Sequence, residues 1–73
     1  MTESELRKIY YPIAESWKLI RQFSDATGTP VECFKLQELA QEIFEKSGKT
    51  QFATEIVAAT VNEIDRIMKE NGG

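Results

Sequence analysis

The fold of this chain is decided by the stretch Tyr10-Tyr11-Pro12-Ile13-Ala14-Glu15-Ser16-Trp17-Lys18-Leu19-Ile20-Arg21-Gln22-Phe23. It contains the only tryptophan and both tyrosines of the chain. Within it and just upstream, apolar residues recur every three or four positions, the spacing that places side chains on one face of a helix. The members of this predicted apolar face are Leu6, Ile9, Tyr10, Ile13, Trp17, Ile20 and Phe23. We therefore predict a first helix over about residues 3–25 whose apolar face is covered by the rest of the chain.

Pro12 lies in the middle of this predicted helix and leaves two interpretations open. A proline in a helix interior cannot donate a backbone hydrogen bond to the carbonyl four residues earlier, here that of Lys8. The segment is therefore either one helix with a kink at Pro12 or a short helix followed by a second one that begins near Pro12. The apolar spacing keeps the same phase on both sides of Pro12, which favours the single kinked helix.

Two further helices are predicted downstream, over about residues 30–47 and 51–70. The first of them begins with the sharpest local pattern in the chain, because Thr29 and Glu32 have the spacing of a capping box with Pro30 between them. Gly28 before this helix and Gly48 after it are expected in the left-handed backbone conformation that ends helices and forms turns.

Three helices joined by short turns, each with one apolar face, predict an all-α three-helix bundle that forms a single domain over residues 1–73. Cys33 is expected on the core side of the second helix. The terminal residues Asn71, Gly72 and Gly73 are expected to fray. The predicted core consists of Ile13, Trp17, Ile20, Leu36, Leu39, Ile43, Ile56, Ile64 and Ile67.

The composition argues against most catalytic chemistry. The chain has no histidine and a single cysteine, which removes histidine-dependent nucleophile pairs and nearly all zinc sites. We therefore predict no enzyme activity, no catalytic residue, no metal site, no cofactor and no small-molecule substrate.

The net charge of −3 makes general nucleic-acid binding unfavourable. Because the sequence shows neither a membrane span nor a signal peptide, we expect no membrane partner and a cytoplasmic location.

Two short patterns resemble functional motifs, and both are better explained by helix ends. Gly48-Lys49-Thr50 matches the end of a phosphate-binding loop, but Ile43 stands where that loop requires an earlier glycine. We assign Thr50 instead as the N-cap of the last helix.

The last two helices also have the order of a helix-turn-helix motif, but phosphates would repel the acidic side chains of the last helix. These acids are Glu55, Glu63, Asp65 and Glu70.

A candidate interaction surface lies away from the predicted apolar faces. On a helical wheel Tyr11 is a neighbour of Arg7 and Lys18, a combination that can bind a carboxylate, a phosphate or an aromatic side chain. The alternative is that a kink in the helix turns Tyr11 back onto the bundle. Leu19 and Phe34 are further apolar side chains off the predicted faces. The predicted interaction surface therefore consists of Arg7, Tyr11, Lys18, Leu19 and Phe34.

Several segments are similar to those of a known group of proteins. They are Tyr10-Tyr11-Pro12-Ile13, Trp17-Lys18, Phe23-Ser24-Asp25, Gly48-Lys49-Thr50-Gln51-Phe52 and Ala59-Thr60-Val61-Asn62-Glu63-Ile64-Asp65-Arg66. In these segments the chain resembles short uncharacterised helical proteins encoded in bacterial phages and prophages. The resemblance implies a phage or prophage origin, a bacterial host and the binding of a host or phage protein, and it brings no activity and no site residue.

These features together predict a small non-enzymatic helical module that binds another protein, and a homodimer is one form this interaction can take. The motivating observation is the set of apolar residues off the predicted faces, on a chain too small to leave many of them unused. The alternative is a regulator that binds nucleic acid through the basic side of the first helix. That side consists of Arg7, Lys8, Lys18 and Arg21.

Overall fold

The computed structural model describes residues 1–72 and contains three helices joined by two short turns. The helices are α1 (Glu3–Gln22), α2 (Pro30–Lys46) and α3 (Gln51–Gly72). Each helix packs against the other two, which confirms the predicted all-α three-helix bundle. The bundle is a rod of 45 × 17 × 16 Å, because helices of similar length lie side by side.

α1 is an uninterrupted helix that passes through Pro12. It begins with a capping box, in which the Thr2 hydroxyl accepts a hydrogen bond from the Glu5 amide at 3.2 Å and the Glu5 carboxylate accepts one from the Thr2 amide. Of the two interpretations of Pro12, the undivided helix is the one observed. Pro12 is fully buried, so the backbone hydrogen bond that it cannot donate is offset by burial of its ring.

α1 ends at Gln22, earlier than the predicted residue 25. Beyond the cap residue Phe23, the chain turns back, and the Phe23 carbonyl accepts a hydrogen bond from the Ala26 amide at 3.1 Å. Ala26 is 5% exposed and belongs to the core. The helix stops here because the turn has to carry Ala26 back into the bundle.

The turn between α1 and α2 is held by the Glu32 carboxylate. One of its oxygens accepts hydrogen bonds from the amides of Thr27, Gly28 and Thr29 at 3.2, 3.1 and 2.9 Å. In return, the Thr29 hydroxyl accepts one from the Glu32 amide at 3.2 Å, which confirms the predicted capping box. These bonds lower the pKa of Glu32, and the bond from the Thr29 amide contributes most. Gly28 has a φ of 89°, the left-handed conformation predicted for it.

The turn between α2 and α3 uses two successive left-handed residues. Gly48 has the predicted left-handed conformation, with φ at 83°, and Lys49 follows with φ at 56°. The Thr50 hydroxyl then accepts a hydrogen bond from the Ala53 amide at 3.0 Å, which confirms Thr50 as the N-cap of α3. A turn this tight returns the chain directly along α2.

α3 continues to Gly72, so the predicted fraying of Asn71 and Gly72 is wrong. The side-chain amide of Asn71 donates hydrogen bonds to the carbonyls of Ser24 and Ala26, both at 3.0 Å. These two bonds fix the end of α3 against the end of α1. α1 and α3 therefore run parallel, and α2 runs antiparallel to both. The same prediction for Gly73 lies outside the described residues.

The core draws on all three helices and on the first turn. α2 and α3 bury the faces that were predicted from the sequence, with the exception of Cys33. The predicted core residues that are buried are Leu36, Ile43 and Ile64, and those that are partly buried are Leu39, Ile56 and Ile67. The buried cluster consists of Leu19, Phe23, Ala26, Leu36, Ile43, Ile64 and Met68, with Tyr11, Ile20, Leu39, Val57 and Val61 packed against it.

Cys33 is exposed, so its predicted place on the core side of α2 is wrong. It lies in the first turn of α2, where its thiol faces the carbonyl of Gly28 at 3.8 Å. The first core residue of α2 is Leu36, one turn further along. At the end of a bundle the neighbouring helices no longer cover the side that they cover in the middle.

α1 buries a different face from the predicted one. Ile13 is 48% exposed and Trp17 is 60% exposed, so their assignment to the core is wrong. The buried face is rotated from the predicted one by about a quarter of a turn. It consists of Pro12, Ser16, Leu19 and Phe23. The structure buries this face because the short side chains of Pro12 and Ser16 let α1 approach its neighbours more closely than Trp17 and Ile13 would.

Candidate interaction surface on α1

Four large apolar side chains of α1 face the solvent in a continuous row, which we call the exposed band. It consists of Leu6, Tyr10, Ile13 and Trp17. Tyr10 is 70% exposed, the largest exposed fraction of the four, and Ile9, at 40%, lies beside the row. Apolar side chains scattered singly over a surface are ordinary, whereas a contiguous row of them is a candidate interaction surface.

The spacing of the exposed band matches a helix–helix contact. From Leu6 to Trp17 the intervals are four, three and four residues, which is the alternation of the two core positions in a heptad repeat. The same alternation reaches Ile20, which is partly buried in the bundle. A second helix could therefore lie along the exposed band over about three turns.

The exposed band borders α3 rather than α2. A cleft of about 90 Å³ between α1 and α2 is lined by Tyr11 and Leu19, which places α2 on that side of α1. At 3.6 residues per turn, Ile13 and Trp17 lie on the opposite side of the buried face. α3 is the third element of the bundle, so the exposed band runs along the edge between α1 and α3.

Charged residues stand at both ends of the exposed band. Glu3 lies in the first turn of α1 and Arg21 in its last turn. Both are exposed, and among residues 1–72 no ion pair involves either of them. They are separated by five helical turns, so they point in the same direction along one edge of the band. The band thus has an acidic end and a basic end.

The structure brings together three of the five residues of the predicted interaction surface and separates the other two. Arg7, Tyr11 and Lys18 share one face of α1 at helical spacing. Leu19 is 4% exposed and belongs to the core, so its predicted position on the surface is wrong. The sequence misplaced Leu19 because its assignment followed from the incorrect phase of α1. Phe34 is 66% exposed on α2 and points away from the bundle, nearly opposite to the buried Leu36.

Tyr11 is partly buried and packs against the core, as the alternative interpretation of this residue described. Lys18, on the same face, forms an ion pair with Glu15 at 2.9 Å. That hydrogen bond raises the pKa of Lys18. One of the two cations on this face therefore already has a partner, and the Tyr11 ring is partly covered.

The basic residues of α1 do not form one surface. Arg7, Lys18 and Arg21 lie on the outer face of the helix, whereas the Lys8 side chain passes next to Gly48 at the second turn. Lys18 is paired with Glu15, as described above. A strip that tracks a phosphate backbone would need several unpaired cations on one side.

Two other surface features, an open cleft and an ion-pair network, contain charged side chains that are already paired. An open cleft of about 510 Å³ beside Gly28 contains Cys33 and Asp65, but Asp65 is paired with Lys69 at 3.1 Å. Arg66 holds Glu63 and Glu70 in a solvent-exposed ion-pair network, and its hydrogen bond lowers the pKa of Glu63. Within residues 1–72 no group of three or more acidic or cysteine side chains could hold a metal ion.

No helix among the described residues has both the length and the apolar character needed to cross a bilayer.

One signal in the sequence would have identified the exposed band. The apolar residues of α1 spread over roughly half of the helix circumference, which is wider than the side that one helix buries in a small bundle. A core face of Pro12, Ser16, Leu19 and Phe23 accounts for one part of this arc. The heptad-spaced residues from Leu6 to Trp17 account for the other part.

In comparisons with protein-family models, with curated protein sequences and with solved structures, the chain had no match.

Proposed function

We propose that this chain is a small non-enzymatic helical module that binds a protein partner through the exposed band of α1. The observation that carries the proposal is the continuous row of exposed apolar side chains that includes Tyr10, Ile13 and Trp17. Tyrosine and tryptophan are the residues most often found as anchors at the centre of protein interfaces. The phage or prophage origin, which is supported by the resemblance alone, and the cytoplasmic location belong to the same proposal.

The chain leaves several large apolar side chains of α1 uncovered. Burial of apolar surface contributes about 25 cal/mol per Å², and a chain of 73 residues has little such surface to spare. Here α1 buries Ser16 and leaves Trp17 in water. That distribution weakens the isolated bundle and preserves a row of anchors for a partner, which is the pattern expected of a binding surface.

The alternative, binding of nucleic acid by the basic side of α1, has weaker support. Lys18 is paired with Glu15, and Lys8 lies on a different side of α1 from Arg21. A gel-shift assay at low salt with mixed DNA and RNA tests this alternative, because phosphate attraction is strongest there. A shift that is lost in the Arg7→Glu/Arg21→Glu variant would favour it over the proposed function.

The proposed function is tested by affinity capture from an extract of the source bacterium. Three tagged chains are compared: the unmodified chain, the Ile13→Glu variant and the Phe34→Glu variant. Ile13 lies in the exposed band, and Phe34 is an equally apolar, exposed side chain on α2. We expect quantitative mass spectrometry to find at least one protein that is lost with Ile13→Glu and retained with Phe34→Glu.

Because both substituted side chains are exposed, circular dichroism and urea unfolding should show that both variants remain helical bundles. The same set of captured proteins with all three chains would refute the proposed surface. Loss of a partner with Phe34→Glu alone would move the interaction to α2.

A further inference from the structure

We propose that the exposed band binds a second copy of the same chain, with the two α1 helices antiparallel across a two-fold axis. This inference rests on the proposed function, because it names the occupant of the same band. Its support comes from three properties of the band: its self-complementary order of side chains, its charged ends and its area.

The order of side chains is self-complementary in one antiparallel register. When Tyr10 of one copy lies opposite Ile13 of the other, Leu6 lies opposite Trp17 at each end of the contact. Every layer then pairs one aromatic ring with one aliphatic side chain. Such complementarity suits a two-fold interface, in which the same patch has to serve both partners. A parallel arrangement in register would instead place Trp17 against Trp17 and Leu6 against Leu6.

The charges at the ends of the band favour the same antiparallel arrangement. In that register Glu3 of each copy lies beside Arg21 of the other, and neither residue has an ion-pair partner among residues 1–72 of its own chain. A parallel pair would instead place both Glu3 side chains at one end of the contact and both Arg21 side chains at the other, so neither acid would meet a base. The antiparallel pairing also aligns the two helix dipoles favourably, with each acidic first turn beside a basic last turn.

The area of the band is sufficient for a weak but specific dimer. From their exposed fractions, the side chains of the band and Ile9 offer roughly 500 Å² per chain, with whole aromatic side chains taken as about 150–250 Å² each. Two chains together would bury about 1,000 Å², which is the lower limit for a specific interface. We therefore expect dissociation constants in the micromolar range rather than the nanomolar range.

The first experiment is sedimentation equilibrium across a concentration series, read together with fluorescence of Trp17, the only tryptophan in the chain. As concentration rises, we expect the mass to change from one chain to two. The Trp17 emission should move to shorter wavelength over the same range, because dimerisation removes its ring from water. A mass of one chain at every concentration up to about 1 mM would overturn the inference.

Matched variants locate the interface. Ile13→Glu should weaken dimerisation at least about tenfold, because it places a carboxylate in the middle of the apolar contact. Phe34→Glu, which changes a comparable exposed side chain on α2, should leave the monomer–dimer equilibrium within about twofold of the unmodified chain. A dimer that survives Ile13→Glu, or one abolished by Phe34→Glu, would overturn the assignment to the exposed band.

Disulfide trapping tests the register. In a Cys33→Ser background, one chain carries Glu3→Cys and another carries Arg21→Cys. With oxidised glutathione as oxidant, we expect the mixture to form a cross-linked dimer several times faster than either chain alone, because only the mixture brings the two thiols within disulfide reach. Faster cross-linking of the Glu3→Cys chain with itself would indicate a parallel pair and overturn the antiparallel register.

The two proposals can fail separately. A strictly monomeric chain whose captured partner is lost with Ile13→Glu would overturn self-association and leave the proposed function in place. Capture of no protein, combined with a concentration-dependent dimer lost in the same variant, would support the second copy as the occupant of the band.

Discussion

The two faces of α1 differ in a way that its composition does not suggest. The buried face contains a proline and a serine together with Leu19 and Phe23, whereas the exposed band contains the tryptophan and a tyrosine. The tryptophan and a tyrosine are therefore outside, while a serine and a proline are inside. Pro12 is fully buried while Trp17 is 60% exposed.

This contrast shows that apolar content alone does not decide which side of a helix is buried. Side chains in a close-packed interior have to fit the space between helix backbones, and small residues allow a closer approach. α3 also buries short side chains, Ala53 and Thr60. A tight contact between short side chains leaves the large ones at the edge, where they are available to a partner.

The largest difference in stability should appear when one apolar side chain is truncated on the buried face of α1 and, in a second variant, one in the exposed band. Leu19→Ala should lower the free energy of unfolding by about 3 kcal/mol, because it leaves a cavity in the core. Ile13→Ala should lower it by less than about 1 kcal/mol, because its side chain is already half in water. Urea unfolding followed by circular dichroism, at a protein concentration low enough to keep the chain monomeric, measures both. Equal losses would mean that the two faces have been assigned incorrectly.

A smaller effect, of opposite sign, should come from the centre of the buried face. The Ser16 hydroxyl oxygen is buried and has no hydrogen-bond partner among residues 1–72. Ser16→Ala should therefore raise the free energy of unfolding by about 1 kcal/mol, because an unsatisfied buried hydroxyl is removed and alanine favours the helix. Thermal unfolding compared with the unmodified chain measures this gain.

Thr60→Ala is the matched control for that substitution. Thr60 is also buried, but its hydroxyl donates a hydrogen bond to the carbonyl of Ile56 at 2.7 Å. Its removal should destabilise the bundle by about 1 kcal/mol. A loss of stability in Ser16→Ala would show that its hydroxyl is satisfied in solution.

The smallest effect on stability should come from the turn between α1 and α2. The hydrogen bond from the Thr29 amide, with those from the Thr29 hydroxyl and the amides of Thr27 and Gly28, lowers the pKa of Glu32 below the ordinary value of 4.5. Because the pKa of the folded state is the lower one, this stabilisation is present above pH 4.5 and is lost as the pH falls through the lowered value. We expect the melting temperature to fall with acidification over that range, and to fall less steeply in Glu32→Gln.

Glu42 and Glu63 also have lowered pKa values, each mainly through a hydrogen bond from its cationic partner, so some acid dependence should remain in that variant. Identical pH profiles for Glu32→Gln and the unmodified chain would show that the carboxylate does not stabilise the turn. Glu42→Gln provides a control, because it removes a solvent-exposed ion pair with Lys46 and leaves the turn intact.

Much of the fold could be predicted from the sequence because its signals are local. Thr29 and Glu32 have capping-box spacing, Gly28 and Gly48 supply left-handed turns, and both predictions are confirmed. The ion pair between Glu42 and Lys46 likewise follows from helical spacing and is present at 2.7 Å. Each of these features involves residues within a few positions of one another.

The candidate site was harder to predict, because it depends on which part of α1 remains uncovered. Choosing the phase of α1 by its largest apolar residues placed Trp17 inside and Leu19 outside, the reverse of the structure. Arg7 and Lys18 are exposed, as a surface role requires, but their participation in binding stays a prediction. Phe34 is exposed as well, on a different helix from the exposed band.

Local patterns in the sequence specify the number of helices, the residue at which each begins and the residues of the turns, because caps and left-handed glycines act through hydrogen bonds to nearby backbone groups. Packing between the helices selects the face of α1 that is buried and places Asn71 against Ser24 and Ala26. The physical reason is that α1 carries apolar side chains over half of its circumference. The choice among them depends on how closely α2 and α3 can approach, which no local pattern encodes.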